Sequence, residues 1–299
     1  MPVLENLVLV KPDVQSFTIS CFFAIISKMA NRIELAEEIY SRYGTVKRSR
    51  KCFLYTAKGV RLTDLYQEAG AAILGWGGSV FTVLKNVLER GVTGSYYSDF
   101  SNPCGKERSR LSKALTDFFG DARVALVFSS KQEAVRAAVS LSPQSTSVYR
   151  PWNPESVDWQ SVDCIVFRPA FPWAGNMHLL AVKDGLLKKA FPSEIFLPAP
   201  LCAAVTRSIY DLIKAIQERE EKHWFIYDQI ISRYWLRKGP YLFPKVPEER
   251  YGDFVIHCLE NKLVISPDYE QPSIIPFGAD KGNFSSLKNT NLTRLLGTK

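Results

Sequence analysis

Apolar positions along the chain change their period several times, and each change marks an element. Ile33, Leu35, Ala36 and Ile39 recur at helical spacing, and Gly44 is placed to close that helix. Cys52-Phe-Leu-Tyr-Thr and Val60-Arg-Leu-Thr-Asp-Leu bracket Lys58-Gly59, which predicts a hairpin with a glycine turn. After Gly75-Trp-Gly-Gly78, a helix carries Val80, Phe81, Val83, Leu84, Val87 and Leu88 to Gly91, and a second runs through Leu111, Leu115, Phe118 and Phe119 to Gly120. Val124 to Phe128 is a continuous apolar run, the pattern of a strand covered on both faces as in a parallel sheet. A helix begins at once behind it, with Ser129 or Ser130 placed as its cap and Pro143 ending it.

Gln144 to Gln160, interrupted by Pro151 and Pro154, reads as a loop, and Cys164 to Phe167 as a second short buried strand. From Leu201 to Leu236 the pattern is helical, with Val205, Ile209, Leu212, Ile213 and Ile216 on one face and Gly239-Pro240 beyond its end. Tyr251 to Ile265 holds two apolar runs, Phe254-Val-Ile and Leu263-Val-Ile, separated by Glu260-Asn-Lys, which suits a small antiparallel α+β domain. The fold class is therefore α/β, with a parallel or mixed sheet and a small α+β domain at the C-terminus. Three stretches are expected: a loosely ordered extension over residues 1–28, a large domain with its N-terminal arm over 29–200, and the long helix with the small domain over 201–299.

Composition narrows the chemistry. The 299 residues carry 46% hydrophobic and 23% charged side chains, an ordinary globular balance. Six cysteines form no Cys-x-x-Cys pair and three histidines stand apart, so neither a zinc site nor a disulfide framework is indicated, and a reducing, cytoplasmic setting fits. The formal charge of +8 favours anionic ligands. Its densest cluster, Lys47-Arg-Ser-Arg-Lys51, reads as a solvated loop or turn, and without interleaved aromatics it argues against a nucleic-acid groove. Phe17 to Ile26 is apolar but falls short of the ~20 residues a membrane helix needs, and it lacks a signal-peptide cleavage word. Met29, which opens an amphipathic helix abruptly, is an alternative start to Met1.

Four words in order carry a resemblance: Arg61-Leu-Thr-Asp-Leu-Tyr, Ala72-Ile-Leu-Gly-Trp-Gly-Gly-Ser-Val, Ser95-Tyr-Tyr-Ser, and Leu111-Ser-Lys-Ala-Leu. Phe128-Ser-Ser-Lys-Gln-Glu-Ala, Val162-Asp-Cys-Ile-Val-Phe, Pro200-Leu-Cys-Ala-Ala-Val-Thr, and Glu260 to Pro276 continue it. Together they resemble the class III pyridoxal-phosphate-dependent aminotransferases of fold type I. The resemblance implies that Ser129, Ser130, Lys131 and Gln132 stand where that family holds the cofactor phosphate, at a helix N-terminus. The family's glycine is missing there, so a side chain stands where backbone should approach the phosphate.

It further implies that the lysine which bonds the cofactor falls on Arg168 or Pro169, neither of which supplies an amine nucleophile. Lys183 is the candidate substitute, with Lys131 a second. The aspartate that would pair the cofactor ring lies in Ser142 to Ser161, a span too short for the family's intervening units, and Asp158 there reads as a loop carboxylate. Ser273-Ile-Ile-Pro shows no substrate-binding arginine, and Arg294 lies outside the matching words. Gly77, Gly78, Tyr96 and Tyr97 are candidates for a substrate or dimer-interface surface, and equally fit a turn before a helix and core aromatics.

The expected protein is a truncated, degenerate relative that has lost catalysis and acts as a binding or regulatory pseudoenzyme. It would form a homodimer or join an aminotransferase-like subunit, since a shortened sheet exposes strand edges. It would take a small anionic ligand, pyridoxal phosphate among the candidates, and no metal. The opposing expectation is a working aminotransferase with rearranged catalytic groups.

Overall fold

The computed structural model describes residues 32–91, 93–94, 106–173, 177–188, 194–195 and 197–289. The extension over residues 1–28, Tyr96 and Tyr97 lie outside them. Three sheets organise these residues. The helix over residues 32–43 (α1) leads into β1 (Val46–Arg50), β2 (Phe53–Thr56) and β3 (Arg61–Asp64), an antiparallel meander turned between β2 and β3 around Gly59, whose φ of 77° is open to glycine. The basic cluster from Lys47 is thus an edge strand rather than a loop. Its charged side chains protect an unpaired edge, and the Arg48 guanidinium stacks 4.4 Å over the Tyr55 ring.

Two helices follow, α2 (Ser79–Leu88) and α3 (Lys106–Phe119), and then the central sheet. Its strands are β4 (Arg123–Phe128), β5 (Thr146–Val148), β6 (Cys164–Phe167) and β7 (His178–Lys183), in the order β4-β7-β6-β5. β7 is antiparallel to both β4 and β6, and β5 is parallel to β6, so β4, β5 and β6 all point one way. The expectation that β4 sits in a parallel sheet holds for direction but not for its neighbour, which is antiparallel. Helix α4 (Lys131–Leu141) crosses from β4 to β5 and packs its small residues Ala134, Ala137 and Ala138 on one face of the sheet. α2, α3 and α5 (Ala199–Glu218) cover the other face. α5 buries Cys202, Val205, Ile209 and Leu212 along one side, each apolar side chain contributing roughly 1.5–3 kcal/mol.

The helical pattern read to Leu236 stops at Glu218. Arg219 turns extended and lays its guanidinium 4.2 Å from the Phe277 ring, an arrangement a continuing helix would not allow. Two one-turn helices, α6 (Lys222–Phe225) and α7 (Asp228–Ile231), precede the hairpin β8 (Trp235–Lys238) and β9 (Tyr241–Pro244). The run Phe254-Val-Ile belongs to helix α8 (Tyr251–Glu260), while Leu263-Val makes β10 (Leu263–Val264), which pairs parallel, not antiparallel, with β3. β11 (Ser273–Ile274) completes the third sheet against β9. One hydrophobic core therefore joins Leu35, Ile39 and Leu62 to Trp235, Phe254 and Phe284, knitting the N-terminal strands to the C-terminal part. Among the described residues no helix is long and apolar enough to cross a membrane.

Candidate functional site

The shared direction of β4, β5 and β6 brings three strand ends to one edge of the central sheet: Phe128 and Ser129, Val148 and Tyr149, Phe167 and Arg168. β7 runs the other way and begins there with His178. In open α/β sheets this carboxyl edge is where ligands gather.

Ser130 caps α4, its hydroxyl accepting from the Glu133 amide at 3.1 Å. The Ser129 hydroxyl donates to Glu133 Oε2 at 2.6 Å. Ser129, Lys131, Gln132 and Glu133 are exposed and Ser130 is half-buried. This is a capping box in which Glu133 answers the helix dipole from within the chain. The hydrogen bond from Ser129 holds the exposed Glu133 carboxyl below its ordinary pKa. The four residues expected around a phosphate are therefore together at the helix start, with both serine hydroxyls already used by Glu133.

Arg168, at the end of β6, is half-buried, and among the described residues no hydrogen bond or ion pair reaches its guanidinium. Burial lowers its pKa, while Glu68 and Tyr66 act in the opposite direction. His178 sits opposite Phe128, and its Nδ1 is buried without a hydrogen-bond partner. Desolvation first, then the positive charges of Arg168 and Lys131, push its pKa down to about 4, so the imidazole is neutral at pH 7.

Tyr66 and Glu68, which bear electrostatically on Arg168, belong to a turn with unusual backbone. Gln67, Glu68 and Ala69 adopt φ values of 46°, 47° and 57° in succession, followed by Gly70 at 95°. Three non-glycine residues in this left-handed region cost of order 1–3 kcal/mol each. Asp64 offsets part of that, accepting from the Gln67 amide at 2.8 Å with one oxygen and from Trp76 Nε1 at 2.6 Å with the other. The Gln67 side chain ties the turn to the Ile274 carbonyl at 3.2 Å. The Tyr66 hydroxyl is buried and unpartnered, and burial raises its pKa to about 12.

The remaining candidates lie elsewhere. Lys183 is at the far end of β7, paired with Arg123, and its Nζ meets Asp163 at 3.5 Å and the Ser161 carbonyl at 3.3 Å. It is on the opposite edge of the sheet from Ser129 and Arg168. Gly77 and Gly78 hold φ values of 97° and 92° at the start of α2, with open space where a Cβ would stand. Their place is a turn before a helix. Asp158 is an exposed loop carboxylate that accepts from the Gln160 amide. The carboxyl end of β5 carries Tyr149 and Arg150, not an acid. Among the described residues no three His, Cys, Asp or Glu side chains gather as a metal site would need.

Sequence reasoning missed His178 and Tyr66. The signal available was a lone histidine opening an apolar run, His178-Leu-Leu-Ala-Val, which the register alone converts into a neighbour of Arg168.

No family model matches the chain. The ornithine δ-aminotransferase of Plasmodium falciparum superimposes with a TM-score of 0.62 at 12% identity, over 81% of this chain and 90% of that one. A Bacillus anthracis aminotransferase gives 0.61 at 9% identity over 87% and 98%, and the Toxoplasma gondii ornithine aminotransferase 0.60 at 12% over 96% and 97%. The fold is that of fold-type-I aminotransferases. By sequence, the chain is 27% identical over 292 residues to an uncharacterized protein of Treponema pallidum, spanning 80% of this chain and 91% of that protein. It is 23% identical over 258 residues to another from Borreliella burgdorferi, spanning 81% and 88%.

Proposed function

We propose that this chain is an aminotransferase-fold protein that binds a small anionic molecule at the carboxyl edge of its central sheet, with pyridoxal phosphate as one candidate, without the amino-transfer chemistry of the fold. The observation that carries this reading is Arg168-Pro169 following the carboxyl end of β6, where the resemblance puts the reactive lysine on one or the other. An arginine stays protonated and offers no nucleophile at neutral pH. Two further features agree with it. Tyr149 and Arg150 stand at the end of β5, where an acid would pair the cofactor ring, and the Ser129 and Ser130 hydroxyls serve Glu133. These residues do not fit covalently held pyridoxal phosphate, whose bound form supplies an electron sink for amino-group chemistry. The protein would then act as a truncated binding or regulatory member of the fold, as a homodimer or beside an aminotransferase-like subunit.

A second reading, a working pyridoxal-phosphate-dependent aminotransferase, is favoured by the fold comparisons, whose named members are aminotransferases. It would draw its amine from Lys131, which bears on His178 at the same sheet edge. Incubation with pyridoxal phosphate, borohydride treatment and desalting separates the two. Ligand lost on desalting after borohydride supports the first reading. A fixed pyridoxyl group supports the second.

A further inference from the structure

The sheet register brings Arg168 and His178 to one point. β6 and β7 are antiparallel with Phe167 opposite Leu179, so the next residues, Arg168 and His178, oppose each other across the two strands. Alternation also puts them on the same face. Cys164 and Val166 of β6, Leu180 and Val182 of β7, and Leu126 and Phe128 of β4 all pack against α4, and a period of two extends those rows to Arg168 and His178. Both residues therefore lie on the α4 face, at the edge where α4 begins.

The polar atoms at this point lack partners. The His178 Nδ1 and the hydroxyl of Tyr66, which bears electrostatically on Arg168, are buried without a hydrogen bond, and among the described residues the Arg168 guanidinium has neither hydrogen bond nor ion pair. A buried polar atom left unpaired is costly, so two such atoms beside one half-buried cation are an unfavourable arrangement unless a ligand meets them. Glu68 bears on Arg168 electrostatically, yet no ion pair joins them among the described residues. All three groups can donate to one acceptor: a guanidinium fork, a neutral imidazole N–H and a phenol.

We propose that Arg168, His178 and Tyr66 form a binding site for a small oxyanion, the phosphate or carboxylate group of a metabolite. The proposal names the group recognised at the carboxyl edge of the sheet and rests on the reading that this edge takes an anion. The charged groups that bear on His178 are Arg168 from β6 and Lys131 from α4, and β4 contributes uncharged Phe128. A bound anion neutralises the two cations, so it raises the His178 pKa and takes up a proton as pH falls.

The test is a histidine NMR titration of the whole protein with inorganic phosphate in one arm and acetate in the other, His178 being assigned by loss of its signal in His178→Asn. Binding in either arm is expected to raise the His178 pKa by about one unit. Arg168→Gln should weaken it about tenfold or more, as loss of a charged hydrogen-bonding group does, with Tyr66→Phe intermediate. Arg168→Lys, which keeps the charge, should retain part of the shift, and circular dichroism checks that each variant folds. A His178 signal indifferent to both anions, or a shift unchanged in folded Arg168→Gln, overturns the site. Pyridoxal phosphate bound normally by Arg168→Gln would overturn this site and leave the anion-binding reading of the sheet edge standing. Phosphate bound through Arg168 with no affinity for pyridoxal phosphate would keep the site and remove that cofactor as its ligand.

Discussion

Trp76 Nε1 donates to Asp64 Oδ2 at 2.6 Å, joining the Gly75-Trp76 loop to the strained turn whose Glu68 bears electrostatically on Arg168. Asp64 is 1% exposed. Burial, more than any other influence, raises its pKa to about 6, even though the Gln67 amide and the Trp76 indole favour the ionised form. The folded pKa lies above the unfolded one, so the native chain holds this proton more tightly. Its stabilisation is fully present below pH ~4 and gone above pH ~6, a fall of about 3 kcal/mol for two pKa units. Asp64→Asn should flatten that pH dependence. Urea unfolding of both proteins from pH 4 to 7 measures the difference, and parallel curves would count against it.

Arg123 starts β4 as a buried cation. It pairs with Asp121 at 2.7 Å and donates to the carbonyls of Val162 at 2.7 Å and Trp159 at 2.9 Å, fastening the loop before β6 to the sheet. Arg123→Met strands the Asp121 carboxylate and those carbonyls, and should cost about 3–5 kcal/mol. Arg123→Lys keeps the charge but not the fork, and should fall between. The urea midpoint at constant slope reads this, and a Met variant within 1 kcal/mol of the parent would refute it.

The hairpin around Gly59, the apolar run of β4 and the serine-capped α4 were legible in the sequence because each is a local signal: a turn residue, an unbroken apolar run, a cap. The basic strand β1 was not, because its charges express edge position, which depends on who pairs with whom. β10 pairs with β3 across some 200 residues of chain, beyond any local pattern. The site divides in the same way. Arg168 could be placed by the resemblance. His178 became its neighbour only through the register of β7, and the helix end at Glu218 depended on the aromatic partners of Arg219.

Gly75 brings the start of α2's loop against the edge meander. Lys51 and Trp76 exchange backbone hydrogen bonds at 2.9 and 2.7 Å, and Gly75 between them has φ 96° with the Lys51 carbonyl oxygen 3.2 Å from where a Cβ would stand. Gly75→Ala is strained by both backbone and contact, and should cost about 1–3 kcal/mol. Gly77→Ala, with φ 97° but open space, should cost less. Thermal unfolding of the two variants side by side gives the order, and equal losses would show that the Lys51 contact is immaterial.

Lys183 and Lys131 occupy opposite edges of one sheet, which makes them a controlled pair. Lys183 is held by Asp163 and Ser161 at the edge away from Arg168. Lys131 begins α4 and its charge reaches His178. In the binding reading, borohydride treatment after incubation with pyridoxal phosphate fixes no pyridoxyl group on either residue, and peptide mass spectrometry finds both unmodified. In the aminotransferase reading the label sits on Lys131, Lys131→Arg abolishes it, and Lys183→Arg leaves it unchanged. A pyridoxyl group on Lys183 would contradict both readings, because Lys183 lies at the opposite end of β7 from His178 and Arg168.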